Sequence, residues 1–317
     1  MVSQDRIKAQ LNNVLEYTDF KWLGKCEKGK VRDSYVLDKR RILIVSDRIS
    51  AFDVVLGTIP FKGQVLNQMA AFWFNKTRDI VLNHVISVPD PNAMLVHECE
   101  QMPLEFIVRG YITGVTKTSA WYNYQNGVRN FCGNLLPEGL KKDQKLDKPI
   151  LTPTTKHEKH DRPISRDEAI KEGLIDAESF DACAGICFKL FDAGVKEASK
   201  RGLILVDTKY EIGKINGNFV ISDEIHTPDS SRYWFSDTYS ALFNAGKDQR
   251  KLDKEYIREW LVEQGFRGDG EPPILTEAVR IEAAKRYIQA YELVTGEEFK
   301  VIDSPILERL DNALRKI

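Results

Sequence analysis

Residues 203–234 are expected to form the central hairpin of the main sheet, and their sequence is LILVDTKYEIGKINGNFVISDEIHTPDSSRYW. Two apolar-leaning runs flank the Asn-Gly-Asn sequence at 216–218, and this combination is typical of a β-hairpin. In the first run Asp207, Lys209 and Glu211 are two residues apart, so they share one face of a strand. The stretch therefore predicts a hairpin that carries a polar strip along its first strand.

The length of the hairpin loop determines where two acidic side chains lie. A three-residue loop at 216–218 would place Glu211 opposite Asp223, whereas a two-residue Asn-Gly turn would pair Glu211 with Ser222. Facing carboxylates destabilise a ladder unless a cation lies between them, and Mg²⁺ with phosphate is the usual occupant of such a site. We expect the odd loop or a bulge, with both acids as Mg²⁺ ligands. The alternative from the residues alone is an exposed polar hairpin with solvated charges.

Length and composition limit the class of protein. The 317 residues, 42% hydrophobic and 29% charged, suit a globular protein of one large or two ordinary domains. A net charge of -1 gives no global field that would attract nucleic acid or anionic lipid. No apolar run approaches the roughly 20 residues that span a bilayer, and the N-terminus lacks a signal-peptide core. Five scattered cysteines without a CxxC pair favour reduced thiols. We expect a cytoplasmic protein that binds neither nucleic acid nor membrane.

Three other segments place polar residues where ligands often bind. An early turn contains Gly29-Lys30 and Arg32, and a glycine beside cations can cradle phosphate. The segment SDRISAFD (46–53) follows an apolar strand, a position where site residues are common. In QMPLEFIVRGYITG (101–114), Arg109 interrupts an apolar run, where a charge is usually paired or faces a ligand.

The periodicity of apolar residues predicts the remaining elements. The expected helices are 4–17, 63–78, 177–200 and three within 253–317. The expected strands, besides the hairpin, are 21–27, 31–37, 41–46 and 101–114. Residues 80–97 are interpreted as irregular strand and turn around Pro89 and Pro91, and residues 115–150 as long surface loops with short elements. Ser165 with Glu168 three residues later predicts a capping box at the start of a helix.

Five ordered motifs make the sequence similar to one family, SAICAR synthetase. These motifs are GKVRDSY (29–35), SDRISAFD (46–53), MPLEFIVRGYITG (102–114), VDTKYEIG (206–213) and SDEIHTPDSSRYW (222–234). The length and the helical tail resemble the longer form of the family. Two positions depart from the family pattern: Val115 stands where a serine is usual, and Ile212 stands where a phenylalanine is usual.

The resemblance implies a reaction and its participants. The enzyme would be a carbon–nitrogen ligase that joins L-aspartate to carboxyaminoimidazole ribonucleotide (CAIR) through an acyl phosphate. The products would be SAICAR, ADP and phosphate, in de novo purine biosynthesis. ATP and Mg²⁺ would be the cofactors, the partners would be small molecules, and the protein would be a monomer or a homodimer.

The resemblance also implies the site residues. The implied catalytic residues are Lys209, Asp207 and Lys156. The implied ATP-binding residues are Gly29, Lys30, Arg32, Met102, Glu105, Glu211 and Asp223, with Glu211 and Asp223 as metal ligands. The implied substrate-binding residues are Ser46, Asp47, Arg48, Ser50, Asp53, Arg109, Ser119, Asp229, Ser230 and Arg232. Residues 156–161 would also line the pockets for the imidazole carboxylate and aspartate.

The fold that the resemblance implies is α+β with two lobes. An N-terminal antiparallel sheet lobe (1–105) would resemble a kinase small lobe. A larger, ATP-grasp-like α/β lobe (106–317) would end in a helical tail, and adenine would lie near 102–105. Two other classes stay open. One is a kinase-like phosphotransferase, although the HRD and DFG motifs are absent from the sequence. The other is a catalytically silent nucleotide-binding protein.

Val115 removes a hydroxyl that the family uses to hold the substrate phosphate. Thr116, Thr118 or Ser119 are the expected replacements. We expect residues 115–119 to open a helix whose N-terminus faces the phosphate, because free N–H groups there favour an anion.

Overall fold

The computed structural model describes residues 2–52, 54–156, 161–252 and 255–317. Its helices are α1 (Gln4–Ala9), α2 (Lys62–Lys76), α3 (Ala120–Gln125), α4 (Arg166–Lys171), α5 (Ala177–Ser199), α6 (Ser236–Asn244), α7 (Glu255–Glu263), α8 (Glu277–Thr295) and α9 (Ile306–Leu314). Its strands are β1 (Cys26–Lys28), β2 (Arg32–Leu37), β3 (Arg40–Val45), β4 (Arg48–Ala51), β5 (Val54–Thr58), β6 (Leu82–Asn83), β7 (Val85–Asp90), β8 (Ala93–His97), β9 (Glu100–Ile112), β10 (Asn130–Phe131), β11 (Asn134–Leu135), β12 (Gln144–Leu151), β13 (Thr154–Thr155), β14 (Leu203–Ile215), β15 (Asn218–Ser222) and β16 (Ser231–Phe235).

Two main sheets organise these elements. The first is antiparallel, with the order β1-β2-β3-β8-β7. The larger has the order β12-β9-β14-β15-β6, with β13 beside β9 and β16 beside β14. Its β15–β6 pair is parallel, whereas its other pairs are antiparallel. Antiparallel sheets covered by helices define an α+β protein, so the predicted fold class is confirmed.

The change from one sheet to the other comes earlier than expected. The boundary predicted after residue 105 lies inside β9, and the sheets separate between His97 and Glu100. In addition, β6 at Leu82–Asn83 belongs to the larger sheet. The apolar pattern of β9 runs without interruption across residue 105, so the sequence carries no signal of a break there.

The centre of the larger sheet is built from β9 and β14, each 13 residues long. One face of this pair is largely apolar and packs on α5, where the Phe106 and Phe180 rings lie 5.8 Å apart. Each large apolar side chain buried here stabilises the fold by about 1.5–3 kcal/mol. The helix α5 begins at Asp176, whose carboxylate accepts from the N–H of Ser179. The predicted capping box at Ser165 and Glu168 is confirmed at the start of α4.

The N-terminal segment differs from the expected long helix. The helix α1 ends at Ala9, because the next apolar residues enter different cores. Leu11 packs in the main core, while Leu15 packs under the first sheet, and a single straight helix would not reach both. The strand expected at 21–27 begins only at Cys26, and residues 21–23 form a 3₁₀ turn.

Two segments interpreted as irregular contain strands. Residues 80–97 form β6, β7 and β8 despite Pro89, since β7 is an edge strand and its pairing with β8 is irregular. Residues 144–151 form β12, an edge strand whose register on β9 shifts between Lys145 and Ile150. The charges and Pro149 in this strand concealed the pattern, because edge positions tolerate both.

The C-terminal helices cover both sheets. The helix α8 packs against α2 in the main core. The helix α9 instead returns to the first sheet, where Ile306, Leu310 and Leu314 join a core with Tyr35 and Ile42. The helical tail therefore packs on both sheets, and the division into two lobes after residue 105 stays a prediction. In the described ranges no helix is long and apolar enough to cross a bilayer.

Two buried histidines make stability depend on pH. Burial lowers the pKa of His84 and of His226 to about 3. In the unfolded chain a histidine has a pKa of about 6.5. Between these values the unfolded state binds a proton that the folded state does not, so stability is lost as the pH falls below 6.5.

We expect His84→Phe to flatten this pH dependence. Without one buried imidazole, the unfolding free energy should fall less steeply between pH 6.5 and 5, by about 1.4 kcal/mol per pH unit. Urea denaturation at several pH values measures the slope. His84→Asn also removes the titrating ring and should change the slope equally; a slope like that of the wild type in both variants would contradict the account.

Candidate active site

A strip of charged side chains covers the second face of the β9–β14 pair. Asp207 pairs with Arg109, and Glu211 pairs with Glu105, while Lys209 lies between these pairs. Because side chains alternate along a strand, all five point away from the α5 core. The strip therefore contains Asp207, Lys209 and Glu211, which the sequence predicted on one face of a strand. It also contains Glu105 and Arg109 from β9.

The hairpin register is not the one we expected. Ile215 pairs with Asn218 and Glu211 pairs with Ser222, so the loop is the two-residue Asn216-Gly217 turn. Both turn residues have positive φ, 50° and 79°, as an Asn-Gly type I′ turn requires. The prediction that Glu211 lies directly opposite Asp223 was therefore wrong.

Asp223 nevertheless reaches the same side by another route. It follows the last residue of β15 and has a φ of +61°, which turns the chain out of the strand. Its Oδ2 lies 3.8 Å from the Nζ of Lys209, and Glu211 Oε1 lies 2.9 Å from the same Nζ. The cation between the two carboxylates in the structure is thus a lysine.

Lys209 is the centre of this end of the strip. Its Nζ also donates to Oε1 of Glu105 at 3.0 Å. Burial alone would lower the pKa of this ammonium, but Glu211 and Glu105 raise it above its usual range. Burial would likewise raise the pKa of Glu211, but Lys209 and Lys156, which both contact it, hold that pKa well below its usual range. The lysine stays protonated and the glutamate stays ionised.

Arg32 connects the first sheet to this end of the strip. Its guanidinium contacts Asp223 and lies 3.0 Å from Oε2 of Glu224. The preceding turn is closed by a bond from the N–H of Gly29 to the carbonyl of Arg32, at 2.8 Å. The structure therefore brings the predicted phosphate turn and the predicted metal ligands together.

The opposite end of the strip is cationic. Asp207 Oδ2 lies 3.1 Å from Nη1 of Arg109 and 2.6 Å from Nη1 of Arg232. Arg109 is buried, and it also donates to Thr152 Oγ1 at 2.7 Å and to the carbonyl of Thr118 at 3.0 Å. One carboxylate between two guanidinium groups leaves a net positive charge, which suits an anionic ligand.

The segment after Val115 lies beside these arginines, as expected. Ser119 is buried, and its Oγ accepts from the N–H of Thr116 at 3.1 Å. The helix α3 begins at Ala120, and its Trp121 N–H already donates to the carbonyl of Thr113 at 3.1 Å. Val115 itself is 64% exposed. The role of the segment in holding phosphate stays a prediction.

Lys62 is a candidate residue that the sequence reasoning missed. This first residue of α2 is fully buried, and its Nζ donates to Asp229 Oδ2 at 2.9 Å. The other oxygen, Oδ1 of Asp229, accepts from the hydroxyl of Tyr287 at 2.7 Å. A lone lysine at the head of the apolar helix 63–78 was the available signal, since a buried cation needs a partner.

Asp47 and Arg48 of the SDRISAFD segment are buried, and the lining of the substrate pockets by this segment stays a prediction. Asp47 accepts from the N–H groups of Leu15 and Gly63, at 2.7 and 2.8 Å, and burial raises its pKa to about 6. Arg48 is fully buried. These groups hold backbone atoms, because a charge without access to water needs such partners. Asp53 and residues 157–160 lie outside the described residues.

The remaining predicted residues lie around the strip. Met102 and Glu105 are on β9, and Lys156 follows β13, whose residues pair with β9. Ser230 lies next to the strip, since its carbonyl accepts from the N–H of Lys209 at 2.9 Å. Ser50 is half-buried on β4.

The carboxylates could supply part of a metal site. Among the described residues there is no group of three or more His, Cys, Asp or Glu that could hold a metal ion. Glu211 and Asp223 offer two carboxylates, and Mg²⁺ commonly takes one or two from the protein, with phosphate and water completing its shell. The donor set therefore fits Mg²⁺ bound together with a nucleotide.

Comparisons with known proteins agree with the motifs. The model of the SAICAR synthetase family matches residues 25–273. The phosphoribosylaminoimidazole-succinocarboxamide synthase of Legionella pneumophila (strain Paris) is 49% identical over 293 residues, 90% of this chain and 93% of that protein. That of Bacteroides thetaiotaomicron is 47% identical over 306 residues, 94% of this chain and 96% of the other.

A solved structure gives the same result. The SAICAR synthase of Saccharomyces cerevisiae, complexed with SAICAR, superposes with a TM-score of 0.80 at 31% identity. The alignment covers 90% of this chain and 100% of that one. The fold and the relatives together define a ligase of purine biosynthesis. The chain belongs to the SAICAR synthetase family, and it joins L-aspartate to CAIR with ATP. The kinase-like and silent alternatives are not favoured.

Proposed function

We propose that the ligase binds its two phosphate-bearing substrates at opposite ends of the charged strip. The observation that carries this proposal is the position of Lys209 among three carboxylates, on the same strand face as the Arg109–Asp207–Arg232 cluster. Asp207 and Glu211 are four positions apart along the strand, roughly 13 Å. That length suits a ribonucleotide that is anchored by its phosphate at one end and reacts at the other.

The reaction then takes two steps. A carboxylate oxygen of CAIR attacks the γ-phosphorus of ATP, and ADP leaves. The amine of aspartate attacks the acyl carbon, phosphate leaves, and the amine loses a proton. Positioning and charge neutralisation dominate such phosphoryl transfer. Lys209 and Lys156 would neutralise charge that develops on the transferred group.

Glu211 and Asp223 are the residues that would hold Mg²⁺ in this site. The ion would neutralise the phosphates of ATP when it is bound. Arg32 contacts Asp223, so the arginine orients one of the two carboxylates. Lys209 reaches both acids and would balance their charge in the absence of the ion.

We further infer that the enzyme acts in the cytoplasm on small molecules alone, as a monomer or a homodimer. Two features support this inference. The net charge of -1 offers no field for nucleic acid. The five cysteines are free, as in a reducing compartment.

A phosphate-release assay tests the proposal. With ATP, Mg²⁺ and CAIR, we expect stoichiometric phosphate release only when aspartate is added, together with formation of the succinocarboxamide. A kinase-like enzyme would consume ATP without aspartate, and a silent protein would release no phosphate in either mixture. Either result would overturn the proposed mechanism.

Val115 gives a specific prediction for the phosphate of CAIR. Val115→Ser should leave the KM for CAIR within about twofold, because other donors already serve the site. Ser119→Ala should raise that KM by about two- to tenfold, the net worth of one hydrogen bond. Steady-state kinetics with CAIR varied measures both. A large fall in KM from Val115→Ser would show that the missing hydroxyl was not replaced.

A further inference from the structure

Arg48 donates hydrogen bonds to the backbone of the predicted phosphate-binding turn, residues 29–32, which is called the phosphate turn below. Its side chain is fully buried and stacks over the Tyr17 ring, 4.3 Å from the centroid. Its Nε donates to the carbonyl of Lys30 at 3.0 Å, and its Nη2 donates to the carbonyl of Gly29, also at 3.0 Å. Its Nη1 contacts the carbonyl of Glu16. Most of the N–H groups of the guanidinium therefore donate to main-chain oxygens.

A buried acid is paired with this arginine. Asp33 Oδ1 lies 2.8 Å from Nη2 of Arg48, and both side chains are excluded from water. The other oxygen of Asp33 accepts from the N–H and the hydroxyl of Thr18, at 2.6 and 3.0 Å. A buried ion pair with its remaining positions satisfied fixes geometry, and removal of one partner leaves an uncompensated charge.

Ser46 completes the grip on the turn. Its N–H and its Oγ both donate to the carbonyl of Val31, at 3.0 and 2.7 Å. The carbonyl of Arg32 accepts from the N–H of Gly29 at 2.8 Å. All four carbonyls from Gly29 to Arg32 are therefore held by donors of the protein itself.

The direction of these carbonyls sets the direction of the amides. The peptide bonds of the described residues are trans, so each C=O and the N–H that follows it point in opposite directions. Because the carbonyls of Gly29 and Lys30 point toward Arg48, the N–H groups of Lys30 and Val31 point away from Arg48. Successive amides turned to one side form a concavity that binds phosphate.

We propose that Arg48, assisted by Ser46, is a positioning residue for ATP: it turns the Gly29–Arg32 backbone so that its amides face the nucleotide phosphates. This inference rests on the proposed binding of ATP at that turn. It replaces the expectation, taken from the family resemblance, that Arg48 and Ser46 touch the imidazole or aspartate substrate. The Arg48 guanidinium is fully buried, and its bonds go to main-chain carbonyls and to Asp33.

The test separates ATP from the other substrates. Arg48→Lys keeps the charge but loses the fork that reaches two carbonyls, so we expect the Kd for ATP, measured by calorimetry without CAIR, to rise about tenfold or more. Ser46→Ala keeps the backbone bond and loses the hydroxyl, and it should raise that Kd by about two- to tenfold. The KM values for CAIR and aspartate should stay within twofold in both variants.

Arg41→Lys is the matched control. Arg41 lies on β3 and bonds to the side chains of Glu98, Glu27 and Ser34 rather than to the main chain of residues 29–32, so the ATP Kd should not change. If Arg48→Lys fails to fold, the Ser46→Ala result alone decides the proposal. A rise in the KM for CAIR or aspartate with an unchanged ATP Kd would overturn it, as would an equal loss for all three substrates. Because ATP binding is measured without turnover, failure of the proposed reaction would be seen separately, in the phosphate-release assay.

Discussion

Lys209→Met is expected to lower kcat by about two to three orders of magnitude, the loss seen when one preorganised charge-stabilising donor is removed from an active site. Methionine keeps an unbranched stem that is one atom shorter, but it removes the ammonium that lies within 3.0 Å of Glu105 and Glu211. The carboxylates would then repel one another and the phosphates of ATP. Turnover of CAIR with saturating ATP and aspartate measures the effect.

Lys214→Met provides the control on the same strand. Lys214 bonds to Ser179 Oγ at 3.2 Å and lies over the Phe219 ring, outside the strip. The same chemical change there should leave kcat within about twofold. If the Lys209→Met enzyme is folded by circular dichroism and keeps more than a tenth of wild-type kcat, Lys209 has no catalytic role.

The central sheet could be predicted from the sequence because its signals are local. Asp207, Lys209 and Glu211 lie on one face because side chains two residues apart always share a face of a strand. A charge within an apolar run, as at Arg109, also implies a partner without any knowledge of the fold. Both inferences depend on residues that are neighbours in the chain.

The position of Asp223 could not be predicted in this way. The Asn216-Gly217 turn fixes a register that would send this residue to the other face, and the two-residue turn won because Asn and Gly adopt positive φ readily. A single left-handed residue after β15 then returns the carboxylate to the strip. In that conformation Asp223 contacts Lys209 on the preceding strand and Arg32, which is 191 residues away in the sequence.

Burial direction explains the other differences. The SDRISAFD motif was recognised, but a motif gives no sign of whether Asp47 and Arg48 face a ligand or the backbone. The structure shows both side chains buried. Asp47 accepts from the first turn of α2, and Arg48 donates to the backbone of the phosphate turn. Lys62 was missed for the converse reason, since a lysine at a helix start is normally solvated. Its burial follows from the approach of Asp229 and Tyr287 from 167 and more residues away.

Arg109→Ala and Arg232→Ala are each expected to raise the KM for CAIR by about one to two orders of magnitude, since a charge-assisted contact contributes about 1.5–3 kcal/mol. The KM for ATP should change by less than about threefold. Asp207 neutralises one of the two arginines, so the loss of either one leaves the cluster without a net positive charge. The two variants should therefore have similar effects, although Arg232 is the more exposed.

Arg166→Ala is the control for these variants, because Arg166 is paired with Asp181 at 2.7 Å on the exposed surface. It should leave both KM values unchanged. Since the Arg109 side chain is buried and also bonds to Thr152, its variant should be less stable than the Arg232 variant, and thermal denaturation would separate that effect from binding. If both arginine variants raised only the KM for ATP, the two phosphate sites would be exchanged along the strip. The cationic end would then bind the nucleotide, and Lys209 with its carboxylates would face CAIR.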